Sequence, residues 1–156
     1  MWGVYNSIRT FLPHFRARSE ASIVNISSLV GLVGFHGYSA SSMSKYAIRG
    51  LSEALQSELE DSNVSVLIVP PGGIKTNIIK NAPNPSDDQR DTAHANFNKY
   101  TLLGAEQTVS KILRAVQKKK RLILGVDAHL VYTIRKLFPG IYPKIIQAIF
   151  SNVTFQ

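Results

Sequence analysis

Three short segments hold residue types that could do chemistry. The first is Asn25-Ile26-Ser27-Ser28. The second is Lys45-Tyr46-Ala47, with Gly50-Leu51 shortly after it. The third is Pro71-Gly72-Gly73-Ile74-Lys75-Thr76. Together they offer hydroxyls, ammonium groups and a Pro/Gly turn whose backbone can approach a ligand closely. Taken singly, each fits an ordinary structural role. Ser28 reads as a turn serine, Lys45 as a solvated helix lysine, and Pro70-Pro71-Gly72-Gly73 as the turn that ends a strand. Four serines crowd Ser39–Ser44, consistent with a helix start at which Ser39 caps through its hydroxyl. The chain has no cysteine, which excludes disulfides, thiolate metal sites and a cysteine nucleophile. The four histidines, His14, His36, His94 and His129, lack the close spacing of a helical zinc motif, so no metal site is expected.

The elements that must position these segments follow from hydrophobic period. Val4, Ile8, Phe11, Leu12 and Phe15 recur at helical spacing, and Pro13 is expected to end or kink that helix. Ser22–Ile26 is a short β-branched run read as a buried strand. Ser27–Gly37, rich in Ser and Gly, is a loop. Ala47, Leu51, Ala54, Leu55 and Leu59 form a second helical stripe, and Val64–Val69 a second strand. The polar stretch Asn77–Tyr100 is too long for an ordinary connection and reads as a lid. Val109, Ile112, Leu113 and Val116 mark another helix, and Arg121–Gly125 a last strand. Strands alternating with helices predict an α/β fold with a parallel sheet. Ligands in such sheets bind beyond the carboxyl ends of the strands. Those ends are here the Ser27–Gly37 and Pro70–Thr76 loops.

Length and composition bound the rest. The 156 residues, 44% of them hydrophobic, suit about one globular domain. The net charge is +8, part of it in Lys118-Lys119-Lys120-Arg121. That block reads as a solvated helix end, where cations complement the helix dipole. No aromatic–basic pattern accompanies it, so no nucleic-acid partner is expected. The chain starts inside an amphipathic pattern without a signal-peptide core, and no apolar run reaches the roughly eighteen residues of a membrane span. A soluble, cytoplasmic location is the expectation. The last stripe, Leu130, Ile134, Leu137, Ile141, Ile145 and Ile149, is interrupted by Pro139-Gly140 and Pro143. It suits packing over a substrate site or a subunit interface. Its Arg135, Lys136 and Lys144 also allow weak contact with an anionic membrane surface.

The order and spacing of the three segments resemble the classical short-chain dehydrogenases/reductases, and the leading helix with Trp2-Gly3 and Phe11-Leu12-Pro13 is similar to the family's helix before the serine strand. The resemblance covers Met1 to about Gly125. It implies a Rossmann-like doubly wound parallel sheet, of which this chain would be the C-terminal half without the first glycine-rich βαβ unit. Residues 1–125 would form the partial domain, with a lid over 77–100, and residues 126–156 an amphipathic helical tail. The implied activity is NAD(P)-dependent hydride transfer on a small-molecule alcohol or carbonyl, with NAD or NADP as cofactor. Ser28 falls on the family's substrate-polarising serine. Lys45 falls on the lysine that binds the nicotinamide ribose and lowers the pKa of the catalytic tyrosine. Pro71, Gly72, Ile74 and Thr76 fall on the nicotinamide-holding loop.

Two departures stand out. The family's tyrosine lies four residues before the lysine, and that position is Ser41. A phenol titrates near pH 10 and is brought toward working pH by a neighbouring ammonium; a serine hydroxyl offers no such titration. Tyr38, roughly one helical turn earlier, is the nearest phenol and, with Phe97, a candidate substrate contact; Tyr100 and His94 are further ones. The second departure is the glycine-rich phosphate turn, which these residues do not contain. Two readings follow. One is a truncated, impaired form of an active dehydrogenase. The other is a non-catalytic pseudoenzyme acting through the helices that commonly pair family members, here Val4–Phe15 and Ala47–Leu59, with a homodimer expected. Poor stability of the lone monomer is also expected, because sheet edges would be exposed.

Overall fold

The structure is a computed structural model, and it describes residues 1–78, 81, 103–118 and 122–150. Of the expected lid only Asn77, Ile78 and Asn81 are described. Phe97, His94, Tyr100 and the basic residues Lys119, Lys120 and Arg121 lie outside the described residues.

The elements run α1 (Trp2–Arg16), β1 (Ala21–Ile26), a 3-10 turn (Leu29–Gly31), α2 (Ser39–Glu58), β2 (Val64–Val69), β3 (Ile74–Lys75), β4 (Leu103–Gly104), α3 (Ala105–Gln117), α4 (Val126–Leu137) and α5 (Tyr142–Phe150). β1 and β2 pair in parallel over their full lengths, from Ala21 opposite Val64 to Ile26 opposite Val69. A second, short parallel pair joins Ile74 to Leu103 and Lys75 to Gly104.

Alternation along the strands sends side chains to two faces. Ile23, Val64 and Val66 face α1 and α2, where Ile8, Leu55 and Leu59 complete one buried cluster with Val4, Leu12 and Phe15 packed against it. Val24, Leu67 and Val69 face the other way, onto Ile112, Ala115 and Val116 of α3 and onto Leu124. Helices therefore cover both faces of the parallel pair, which is why its strands read as near-continuous apolar runs. A third cluster lies under the loop after β1: Leu32 and Val33 pack with Ala128 and Val131 of α4 and Ile146 of α5. Each such side chain stabilises the fold by about 1.5–3 kcal/mol on full burial.

Three local expectations change. α1 does not end at Pro13 but runs through it to Arg16. Past that end, the Asn63 side-chain amide donates to the carbonyl oxygens of Phe15 (2.9 Å) and Arg18 (2.6 Å). Ser39 is not a cap: it is the first residue of α2, Tyr38 holds the cap position, and no side chain caps this end. The expected strand over 121–125 reduces, among the described residues, to a single parallel bridge between Leu124 and Pro71.

β1 also carries a polar relay into the core. Asn25 Nδ2 donates to Ser52 Oγ (2.8 Å), and Ser52 Oγ donates to the Ile48 carbonyl one turn back (2.7 Å). Ser52 is fully buried and Asn25 nearly so. Removing the serine hydroxyl strands the Asn25 amide in an apolar layer. Ser52→Ala is therefore expected to destabilise the chain by about 1–3 kcal/mol, measured as a lower urea midpoint at unchanged slope. An unchanged midpoint would mean that Asn25 finds another partner.

Candidate functional site

Because β1 and β2 are parallel, their carboxyl ends share one edge. The ladder continues past both strands: Ser27 N–H donates to Val69 O (2.8 Å) and Leu29 N–H to Pro71 O (2.9 Å). These bonds set the Ser27–Ser28 step beside Pro70-Pro71. Ser27 is buried, and its hydroxyl donates to the Lys45 carbonyl (3.1 Å). Ser28 is half-buried and extended, and its Oγ accepts from Val30 N–H (3.4 Å) as the cap of the 3-10 turn. Gly31 lets that turn lie flat on α2, since a Cβ there would collide with Ser27 Oγ and stand 3.0 Å from Lys45 Cβ.

Lys45 lies on α2 with its ammonium at this edge, donating from Nζ to the Ile26 carbonyl (3.2 Å). Burial lowers its pKa below the ordinary lysine value. Ser41 sits one turn earlier on the same helix face and is exposed. Its neighbour Ser42 is turned inward, with a buried hydroxyl that has no hydrogen-bond partner. Tyr38, at the cap of α2, is half-buried, and burial pushes its phenol up, opposite to what a base requires.

The third segment starts at the bridge to Leu124, where Gly72 N–H donates to Leu124 O (2.7 Å). Ile74 then pairs with Leu103 in β3–β4, and the exposed Thr76 accepts at Oγ1 from Ile78 N–H (3.5 Å). Ser28, Lys45 and Pro71-Gly72 thus gather at one sheet edge, with Ile74 and Thr76 leading outward from it. The edge therefore offers an ammonium, a hydroxyl and a turn with backbone beside them. Among the described residues no group of three or more His, Asp or Glu could hold a metal ion, and no helix is long and apolar enough to cross a membrane.

Asp127 escapes the sequence reading, and Tyr46 and Arg135 make contacts that it does not assign to them. Asp127 accepts from Gly73 N–H at Oδ2 (2.7 Å). Tyr46 donates its phenol to Leu32 O (2.8 Å), and Arg135 donates to both Leu32 O and the Tyr46 hydroxyl. The guanidinium also lies over the rings of Tyr46 and Tyr142. Arg135 is therefore turned inward rather than displayed with Lys136 and Lys144. The available signal was local: Gly125 followed two residues later by an acid at a helix start.

Helices on both faces of a parallel sheet, with hydroxyl, lysine and Pro-Gly turn at its carboxyl edge, define a Rossmann-like α/β domain. A family model described as short chain dehydrogenase matches residues 1–87, and the chain belongs to that family. It is 35% identical over 151 residues to "Putative oxidoreductase SadH" of Mycobacterium tuberculosis, an alignment covering 94% of this chain and 55% of that protein. It is 33% identical over 141 residues to mouse dehydrogenase/reductase SDR family member 7B, covering 88% of this chain and 42% of that one. The chain thus spans about half the length of the curated relatives it matches. Among solved structures, a short-chain dehydrogenase from Streptomyces avermitilis shares 28% identity at a TM-score of 0.69, covering 98% of this chain and 58% of that chain. A Burkholderia phymatum relative solved in complex with NAD matches at a TM-score of 0.71 and 21% identity, covering 86% of this chain and 54% of that chain.

The half-buried amine gives a pH signature. Burial lowers the Lys45 pKa in the folded state, so as the pH nears its ordinary value of 10.5 from below the unfolded chain binds more protons than the folded one. Stability contributed by this site therefore rises with pH as that value is approached from below. Lys45→Met is expected to remove the rise, read as the difference between wild-type and variant denaturation midpoints across alkaline pH. Parallel profiles would mean that the ammonium is as well solvated folded as unfolded.

Proposed function

We propose that this chain forms the nicotinamide and substrate side of an NAD(P)-dependent alcohol/carbonyl oxidoreductase, with its proton-transfer step impaired. The observation that carries the reading is the convergence of Ser28, Lys45 and the Pro71–Thr76 turn on one edge of the parallel pair. In this reading Ser28 polarises the substrate oxygen, Lys45 binds the ribose, and Pro71, Gly72, Ile74 and Thr76 seat the carboxamide. The nicotinamide, when bound, accepts or donates the hydride. Support for NAD or NADP comes from the family and from relatives solved with NAD and, from Burkholderia cenocepacia, with NADP. Ser41 occupies the proton-donor position without a phenol, and the burial-raised Tyr38 does not substitute as a base. Loss of a general acid/base costs about a hundred- to ten-thousand-fold in rate, which also keeps open a non-catalytic role.

Nicotinamide mononucleotide, which has no adenylate half, tests the seat directly. Added to the 15N-labelled chain, it is expected to shift the amides of Ile74 and Thr76 and to leave Ile8 and Leu55 in place. With NADH or NADPH supplied as hydride donor, Ser41→Tyr is expected to raise reduction of small aldehydes and ketones by about a hundredfold or more over the wild-type background. Absent shifts sink the cofactor reading. Shifts without a gain in Ser41→Tyr sink the assignment of position 41 and favour the non-catalytic reading.

The expected partners extend the proposal. Trp2, Tyr5 and Phe11 are exposed on α1 and support a homodimer through α1 and α2. Val126, Leu130 and Leu137 are exposed on α4 near the exposed Lys136 and Lys144, and support weak contact with an anionic lipid surface. Sedimentation separates the two: Phe11→Glu is expected to convert a dimer to monomer, and phosphatidylserine vesicles to pull down wild-type chain at low salt only. A monomeric wild type removes the first idea, and vesicles that sediment without the chain remove the second.

A further inference from the structure

The carboxylate of Asp127 stands in a pocket made of glycine. Gly73 donates its N–H to Oδ2 at 2.7 Å. A Cβ built on Gly72 would collide with both carboxylate oxygens, and one on Gly125 would collide with Oδ1. Gly125 also has φ +102°, a conformation that glycine adopts without strain. Asp127 lies in the first turn of α4, where a carboxylate is favoured by the helix dipole whatever else it does. A helix-start acid needs no partner beyond its own helix, however. This one reaches a backbone amide 54 residues away, in the loop assigned above to the nicotinamide. Next to it, Gly72 N–H is held by Leu124 O at 2.7 Å, so two successive amides of the loop are pinned from the segment entering α4.

We propose that Asp127 is a positioning residue that sets the backbone of the Gly72–Thr76 loop for the nicotinamide by holding the Gly73 amide. The inference rests on the cofactor reading for its purpose, but the clamp itself is independent of any ligand. A charge-assisted hydrogen bond of this length is among the stronger ones a loop can make. Without it, the loop between Gly72, held by Leu124 O, and Ile74, paired with Leu103, loses its one side-chain anchor at Gly73. The glycines at 72 and 125 then follow as requirements of the same carboxylate.

The test uses amide exchange together with nicotinamide mononucleotide. In the wild-type chain, Gly73 is expected to exchange at least about tenfold slower than an unstructured glycine. Asp127→Ala is expected to abolish that protection, and Asp127→Asn, whose side-chain oxygen still accepts, to retain most of it. Amides of Ile23 and Leu67 should be unaffected in both, which distinguishes a loop effect from general loosening. Affinity for nicotinamide mononucleotide should fall about tenfold in Asp127→Ala and recover in Asp127→Asn. Fast exchange of Gly73 in the wild type, or equal protection in Asp127→Ala, overturns the proposal. So does nucleotide binding that is indifferent to the alanine variant. If Asp127→Ala does not fold, the wild-type Gly73 rate decides alone. If the wild type ignores the nucleotide while Gly73 is protected through Asp127, the cofactor reading fails and the clamp stands.

Discussion

Everything at the candidate site hangs on two backbone hydrogen bonds that extend the parallel ladder beyond its strands, Ser27 N–H to Val69 O and Leu29 N–H to Pro71 O. Parallel pairing puts both carboxyl ends at one edge, but it does not by itself hold the loops that leave them. The two extra rungs do. They force the serine loop and the Pro-Gly loop to depart side by side. Register decides the outcome, because slipping β1 against β2 by one residue would exchange the faces of every side chain. Ile23 would then lose its place with Leu55, and Asn25 its bond to Ser52.

The helix face of the site depends on contacts at close quarters. The 3-10 turn can lie against α2 only because residue 31 has no side chain, and that approach puts the Ser27 hydroxyl on the Lys45 carbonyl. Lys45 is then aimed at the end of β1 and bonded to Ile26 O, partly withdrawn from water. Lowering an ammonium by burial and lowering a phenol by a neighbouring ammonium are opposed demands on one lysine. In the proposed reading a tyrosine at position 41 would supply the phenol that the second demand needs, and Ser41 does not.

How far the sequence carries is seen element by element. Val64–Val69 is read without error and β1 to within one residue, since a short β-branched run closed by turn residues suits a strand covered on both faces and little else. The start of α2 is read to within one residue from the serines at Ser39–Ser44, although Ser39 proves to be the first helical residue and not its cap. Helix continuation through Pro13 runs against the breaker rule. Proline costs a helix its own amide bond, yet the packing of Leu12 and Phe15 on the sheet side retains the last turn. The residues gathered at the edge were legible through their local motifs. The contacts of Asp127 and Arg135 were not, because their loop partners lie far along the chain, and Gly125 before an acid marks a helix start without saying what the acid reaches.

Asp127 and Arg135 give α4 a meaning that its amphipathic stripe does not convey. The acid lies in the first turn and the arginine in the last, an arrangement that complements the helix dipole at both ends. Each also reaches out of the helix to a different loop: Asp127 to Gly73 behind β2, and Arg135 to Leu32 behind β1 and to Tyr46 on α2. Between them, Ala128 and Val131 are fully buried against Leu32 and Val33. One helix thus braces both loops already paired by the ladder and touches α2 through Arg135 and Tyr46. A helix that served only to cover apolar surface would have no need of charged groups directed at loop backbone from both of its ends.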